Sequence, residues 1–144
     1  MKKALFVCAL LFGSMGLMAQ NTATLKITNI HYDYNGEKHE ISEAQEFTLT
    51  DHEPASFILF EVDGLKFGCD FQYKKGRNRI KLTRKCFAEK PGIEKKTGKF
   101  EKDMQELKTS VTGSFTKRVV CNIILSRDNL ESVYVSFNYE LIYK

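Results

Sequence analysis

The sequence predicts an all-β protein, an antiparallel β-sandwich of about eight strands. Three observations carry that expectation. The dipeptides Asn35-Gly36 and Asp63-Gly64 each stand between two apolar-rich runs, and such pairs accept the positive φ angles of a type I′ hairpin turn. Leu65 to Tyr73 and Val133 to Tyr143 alternate apolar and polar residues, the period of a half-buried strand. Phe, Tyr, Val, Ile and Thr, which suit a pleated surface, recur throughout. A small β-barrel is the alternative architecture. The run "FILF" at Phe57 to Phe60 favours the sandwich, because it reads as a strand buried on both faces or at a sheet junction. There is no Trp, so the core Trp of immunoglobulin domains is missing and the likeness to them is loosely architectural.

The chain opens "MKKALFVCALLFGSMGLMAQN". Two lysines, a short apolar stretch and then small residues up to Ala19 are the three-part order of a secretory signal peptide. Residues 1–19 are therefore expected to be removed, leaving one domain over residues 20–144 in the periplasm or outside the cell. The apolar stretch is shorter than the ~20 residues of a spanning helix, and no later segment could cross a bilayer as a helix. Cys8 lies inside the apolar core rather than at the junction, which argues against lipidation. The tail "GLMAQN" resembles the signal peptides of small secreted proteins from Bacteroidota; the resemblance covers only this segment. Of the 22 Lys and Arg, Lys2 and Lys3 would leave with it, so 20 basic residues face 18 acidic ones. That near balance selects no partner.

The Asn35-Gly36 turn pairs Tyr32 with His39 and Ile30 with Ile41 on one face. On the other it sets Asp33 against Lys38 and His31 against Glu40, complementary pairs across the strands. Asp63-Gly64 pairs Val62 with Leu65, Phe60 with Phe67 and Ile58 with Cys69. The next hairpin has its tip at "KKGRN" and two permissible registers. One pairs Tyr73 with Ile80; the other pairs Tyr73 with Leu82 and Cys69 with Cys86. Either way the basic run Lys74, Lys75, Arg77, Arg79 and Lys81 forms the tip and wet side, where charge also discourages edge-to-edge association. Further on, "AEKPGIEKK" reads as a charged loop. Phe100, Met104, Leu107 and Val111 stand at i, i+4, i+7 and i+11, which predicts a short helix near residues 100–108. A strand from about Thr109 to Lys117 follows, and then the pair "VVCNIIL" and "SVYVSFNYELIY" around the turn "SRDN".

Without Cys8 the cysteines are Cys69, Cys86 and Cys121, an odd number for an exported protein. The hairpin puts Cys69 and Cys86 on one face, where a disulfide needs Cα atoms within ~7 Å; a Cys69–Cys121 bridge between sheets is the second pairing. No C-x-x-C, G-x-S-x-G or phosphate-cradling glycine loop occurs, so no redox motif, nucleophile elbow or nucleotide site is indicated. His31, His39 and His52 are not placed to share a metal. No cofactor and no enzymatic activity are expected. Nucleic acid is disfavoured by export and by the alternation that sends Phe71 and Tyr73 away from the lysines. The expected function is a secreted, non-enzymatic binding module. Its contacts would be a protein or an anionic glycan or envelope component, met by the basic tip Lys74, Lys75, Arg77, Arg79 and Lys81, by the loops at Asp51 to Pro54 and Glu89 to Lys99, or by an exposed sheet face. A barrel carrying an apolar ligand, or a hydrolase, are the other readings.

Overall fold

Both hairpin dipeptides turn the chain with positive φ at each residue, 56° and 79° at Asn35 and Gly36 and 45° and 82° at Asp63 and Gly64. A computed structural model describes residues 21–106 and 113–143. Among the described residues there are nine strands. They are β1 (Thr22–Tyr34), β2 (Glu37–Ile41), β3 (Gln45–Thr50), β4 (Pro54–Val62), β5 (Leu65–Lys75), β6 (Arg79–Lys90), β7 (Ile93–Glu106), β8 (Gly113–Ser126) and β9 (Glu131–Tyr143).

The strands form two antiparallel sheets packed face to face. One has the order β2-β1-β9-β8, with β3 following β2 along the same edge of β1; the other has the order β4-β5-β6-β7. The strands thus follow one another around the molecule almost as in an up-and-down barrel. Among the described residues no ladder joins β7 to β8 or β3 to β4, and no closed barrel forms. The sandwich therefore has two seams. At the β3/β4 seam the Phe47 and Phe57 rings stack at 4.0 Å between centroids. Gln45 Nε2 also donates to the Leu59 carbonyl at 3.0 Å there.

The register of the first hairpin is the expected one, from Ile30–Ile41 to Tyr34–Glu37. The third hairpin takes the second of its two registers, Tyr73–Leu82 and Cys69–Cys86. In the second hairpin, Phe60–Phe67 and Val62–Leu65 hold, but a bulge then shifts the register so that Phe57, not Ile58, faces Cys69. This bulge also corrects the reading of "FILF". β4 is an edge strand. The bulge turns both Leu59 and Phe60 inward while leaving Ile58 exposed.

The helix expected near residues 100–108 is a strand over its described part. β7 runs to Glu106 and pairs with β6, Lys85 against Phe100 and Lys81 against Met104. A spacing of four is even, so it fits one face of a strand as well as one face of a helix. Phe100 and Met104 lie outward, exposed by 58% and 53%. Leu107 and Val111 lie outside the described residues, as does the start of the strand expected from Thr109. The expected charged loop from Glu89 to Lys99 is likewise a tight hairpin. Lys90 pairs with Ile93 across Pro91 and Gly92.

Between the sheets lie Leu25, Ile27, Leu49, Phe67, Phe71, Tyr73, Ile80, Leu82, Phe137, Tyr139 and Leu141, all essentially without solvent contact. Each large apolar side chain so buried contributes about 1.5–3 kcal/mol. Phe87 is buried on the opposite, outer face, against Gly68. A Cβ at Gly68 would stand 2.2 Å from the Phe57 carbonyl oxygen and 2.7 Å from the Phe87 ring. The β4 bulge and the Phe87 ring together occupy the place of a side chain.

Gly68→Ala is therefore expected to destabilise the protein by about 3 kcal/mol, the upper range for overpacking, read as a lowered urea midpoint at unchanged slope. Tyr73 gives an opposite expectation. Its hydroxyl is buried and has no hydrogen-bond partner among the described residues, and burial, then the charges of Asp51 and Tyr143, push its pKa up to about 12. Tyr73→Phe removes an unsatisfied polar group and is expected to raise stability by about 1 kcal/mol.

Candidate functional site

Alternation along β6 divides the opening hairpin into two chemistries. Ile80, Leu82, Arg84 and Cys86 share one parity and are buried; Arg79, Lys81, Thr83 and Lys85 share the other. The outward set continues across the sheet in register. Lys74, Lys81 and Met104 form one row. Gln72, Thr83 and Lys102 form the next, and Asp70, Lys85 and Phe100 the third. Asp70 is engaged by the Ser56 hydroxyl at 2.7 Å. Lys74, Lys81, Lys85 and Lys102 have no carboxylate within ion-pair distance among the described residues. Arg79, at the end of this face, lies opposite Glu106 and approaches the Met104 sulfur at 3.8 Å. The result is a cationic face with two exposed apolar side chains, Phe100 and Met104, set among the lysines.

The five residues expected to form a basic tip are only partly brought together. Lys74, Arg79 and Lys81 belong to this outer face. Arg77 is exposed at the turn. Lys75 has the inward parity of its strand and lies opposite Ile80; its backbone N–H donates to Asp51 Oδ1 at 2.9 Å. Lys85, Lys102, Phe100 and Met104 complete the face. Reading β7 as a strand was the signal needed to find the last three, since Phe100, Lys102 and Met104 are then one outward row.

The outer face of the other sheet is different. There Lys26 lies opposite Glu140, which lies opposite Thr116, and Thr28 opposite Asn138, which lies opposite Arg118. A shallow groove of about 480 Å³ crosses these residues, lined by Lys26, Lys117 and Arg118 with Glu140 as its carboxylate.

The inward parity places Arg84 at the β7/β8 seam, away from the surface cations of the same strand. Its guanidinium pairs with Asp103, and both side chains are nearly excluded from solvent. Asp103 also accepts from the Tyr139 hydroxyl at 2.5 Å and pairs with Lys117 Nζ at 3.1 Å. One carboxylate on β7 thus gathers donors from β6, β8 and β9. Burial alone would raise its pKa. Donation from Tyr139 and Lys117, with the charges of Arg84 and Lys117, outweighs burial and holds the carboxyl below its ordinary value. A second bridge joins the sheets elsewhere. Lys90 Nζ donates to Glu131 Oε2 at 2.7 Å and to Tyr34 Oη at 2.8 Å, and Tyr34 donates to Glu131 at 2.5 Å.

Beside Arg84 the three cysteines converge. Cys69 and Cys86 are directly opposite, with Sγ atoms 2.9 Å apart; the distance of a bond is about 2.05 Å. Cys121, on β8, lines the same crevice as Cys86 across the seam, both beside Gly98. That crevice, of about 150 Å³ and lined by Arg84, Cys86, Gly98 and Cys121, opens beside them. All three are free thiols; a hydrogen bond to Cys86, then burial, push the Cys121 thiol up. The Cys121 contact alone would lower Cys86, but the Cys69 contact and burial outweigh it and leave Cys86 raised.

The histidines stay apart, each beside its own local acid. His31 is 3.8 Å from Glu40, His39 3.6 Å from Glu37 and His52 2.7 Å from Asp51. Among the described residues no group of three potential ligands converges on a metal position.

The Asp103 node makes a pH-dependent prediction. Its pKa is lower in the folded protein than the ordinary 3.8. Its contribution is therefore complete above that value and is lost as pH falls through the folded pKa. Asp103→Asn strands Arg84 and is expected to cost about 3 kcal/mol near neutrality. In urea titrations the gap between wild type and variant should shrink in acid well below 3.8, and a gap independent of pH would contradict the node. Set against known proteins, the sequence matches no family model and no curated protein.

Proposed function

We propose that this protein is a non-enzymatic binding module that acts outside the cytoplasm and takes an anionic glycan or envelope component on the outer face of its four-stranded sheet. One observation carries the reading. Lys74 and Lys81 are directly opposite, and Lys85 and Lys102 stand nearby with no ion-pair partner among the described residues. Like charges facing one another across strands oppose folding by about 0.2–1 kcal/mol per pair. An anion seated over the face would offset that cost. On the opposite sheet Lys26 faces the carboxylate-bearing Glu140 rather than another cation, and that face serves as an internal contrast.

Phe100 and Met104 refine the partner's chemistry. They rise between the cations and offer an apolar contact beside the charge. An acidic glycan carrying a lipid, as in lipopolysaccharide, suits both features. The interior speaks for a surface ligand rather than an enclosed one, since Tyr73, Tyr139, Phe67, Phe71 and Phe137 are fully buried within the core. The charge–apolar–small order of residues 1–19 supports export.

The test uses lipopolysaccharide vesicles and heparin as probes. Lys81→Glu, Lys85→Glu and Lys102→Glu combined are expected to lower affinity for both by at least about tenfold, and to flatten the salt dependence of binding. Phe100→Ser with Met104→Ser should weaken the lipid-bearing probe and leave heparin unchanged. Equal losses from Lys26→Glu with Arg118→Glu, or no loss from the triple change, would refute this face as the contact.

A further inference from the structure

The cysteine count and the seam geometry together support a second chemistry that the cationic face does not use. Three sulfurs meet at one place, and Cys86 is the middle one. On one side it touches Cys69, its direct partner within the four-stranded sheet, at 2.9 Å. On the other it shares the crevice and the surroundings of Gly98 with Cys121, which belongs to the opposing sheet. The close approach is built into the backbone. A Cβ at Gly98 would lie 3.1 Å from Cys121 Sγ, so the missing side chain at Gly98 is what makes room for Cys121 beside Cys86. The three sulfurs also differ in access. Cys69 is fully buried, Cys86 nearly so, and Cys121 is partly exposed and lines the crevice with Arg84.

We propose that Cys69, Cys86 and Cys121 share a single disulfide that moves between Cys69–Cys86 and Cys86–Cys121. Formation requires a disulfide oxidant, such as glutathione disulfide. Two protein thiols exchange with it in turn, the protein gains one S–S bond, and two glutathione thiols leave. The move itself is an isomerisation without net oxidation. The Cys121 thiolate attacks Cys86 Sγ, the Cys86–Cys121 bond forms, and the Cys69–Cys86 bond breaks. The electron pair leaves on Cys69 Sγ, which takes up a proton equivalent to the one Cys121 gave up. The hydrogen bond to Cys86 and burial oppose the Cys121 thiolate, and the Arg84 charge in the crevice works against them.

The two isomers differ in what they hold and what they show. A Cys69–Cys86 bond crosslinks neighbouring strands of one hairpin and leaves Cys121 as a thiol facing the crevice, open to exchange with a small external disulfide. A Cys86–Cys121 bond ties β6 to β8 across a seam that has no backbone ladder, and leaves its spare thiol at Cys69, out of solvent contact. The bond position thus decides both whether the seam is stapled and whether the protein presents a thiol to the crevice.

The experiment maps the bonds in the full chain carrying Cys8→Ser, so that these three are the only thiols. The protein is equilibrated in glutathione buffers of several ratios and quenched in acid. Free thiols are then blocked with N-ethylmaleimide, and non-reduced peptides are identified by mass. The expected result is both linkages in one sample, Cys69–Cys86 with Cys121 blocked and Cys86–Cys121 with Cys69 blocked. A single linkage at every ratio, or three blocked thiols throughout, would overturn the proposal. Cys86→Ser provides the independent arm. It should abolish intrachain bonding, because the two outer sulfurs are separated by the residue that was removed; a Cys69–Cys121 bond in that variant would contradict the central place given to Cys86.

Discussion

Asp103 is the point on which the alignment of the two sheets depends at the β7/β8 seam. Two sheets that meet without a ladder can slide, since apolar contacts are not directional. A carboxylate that accepts from Arg84, Tyr139 and Lys117 at once removes that freedom, because its donors come from three strands in both sheets. Ion pairs of this kind add little net stability over a well-packed apolar cluster. What they add is a single permitted alignment. The three cysteines lie against the same seam, and their convergence depends on that alignment being fixed.

The hairpins were legible because their determinants are local. Asn35-Gly36 sets the register of β1 and β2, and alternation from Leu65 to Tyr73 sets which residues of β5 face inward. What was not legible is where alternation is interrupted. The bulge between Ile58 and Phe60 changes which residue of β4 meets Cys69, and its sequence trace is the glycine at 68, whose place on β5 is filled by the Phe57 carbonyl and the Phe87 ring. β7 was misread for a related reason. Phe100 and Met104 are spaced for a helix and for a strand alike, and the deciding information is the ladder that β6 offers them. Pairing to a distant strand leaves no mark in a local window.

The candidate surface was partly visible in the same way. The basic run was conspicuous, yet the five cations it groups, Lys74, Lys75, Arg77, Arg79 and Lys81, are divided by the fold. Arg84 shares its parity with Ile80, Leu82 and Cys86, and counting by twos from either apolar neighbour would have sent it inward. Lys102, by contrast, joins Lys81 and Lys85 only through the β6–β7 register, which the helix reading had hidden.

Alternation also separates the two chemistries. Lys81 and Lys85 point away from the core from the same strand that carries Arg84 and Cys86 toward it. A sheet's thickness lies between them, so an anion over the lysines and a sulfur exchange at the seam share no partner groups. Effects at such separated sites add rather than couple. Charge changes on the outer face therefore act on binding without disturbing the Asp103 node. Changes at the cysteines act on the seam without altering the cationic field. Lys85 joins the two regions, since Arg84 and Cys86 flank it on a strand whose pairing to β7 shifts register at that step, and Lys102 beside Asp103 does the same on β7.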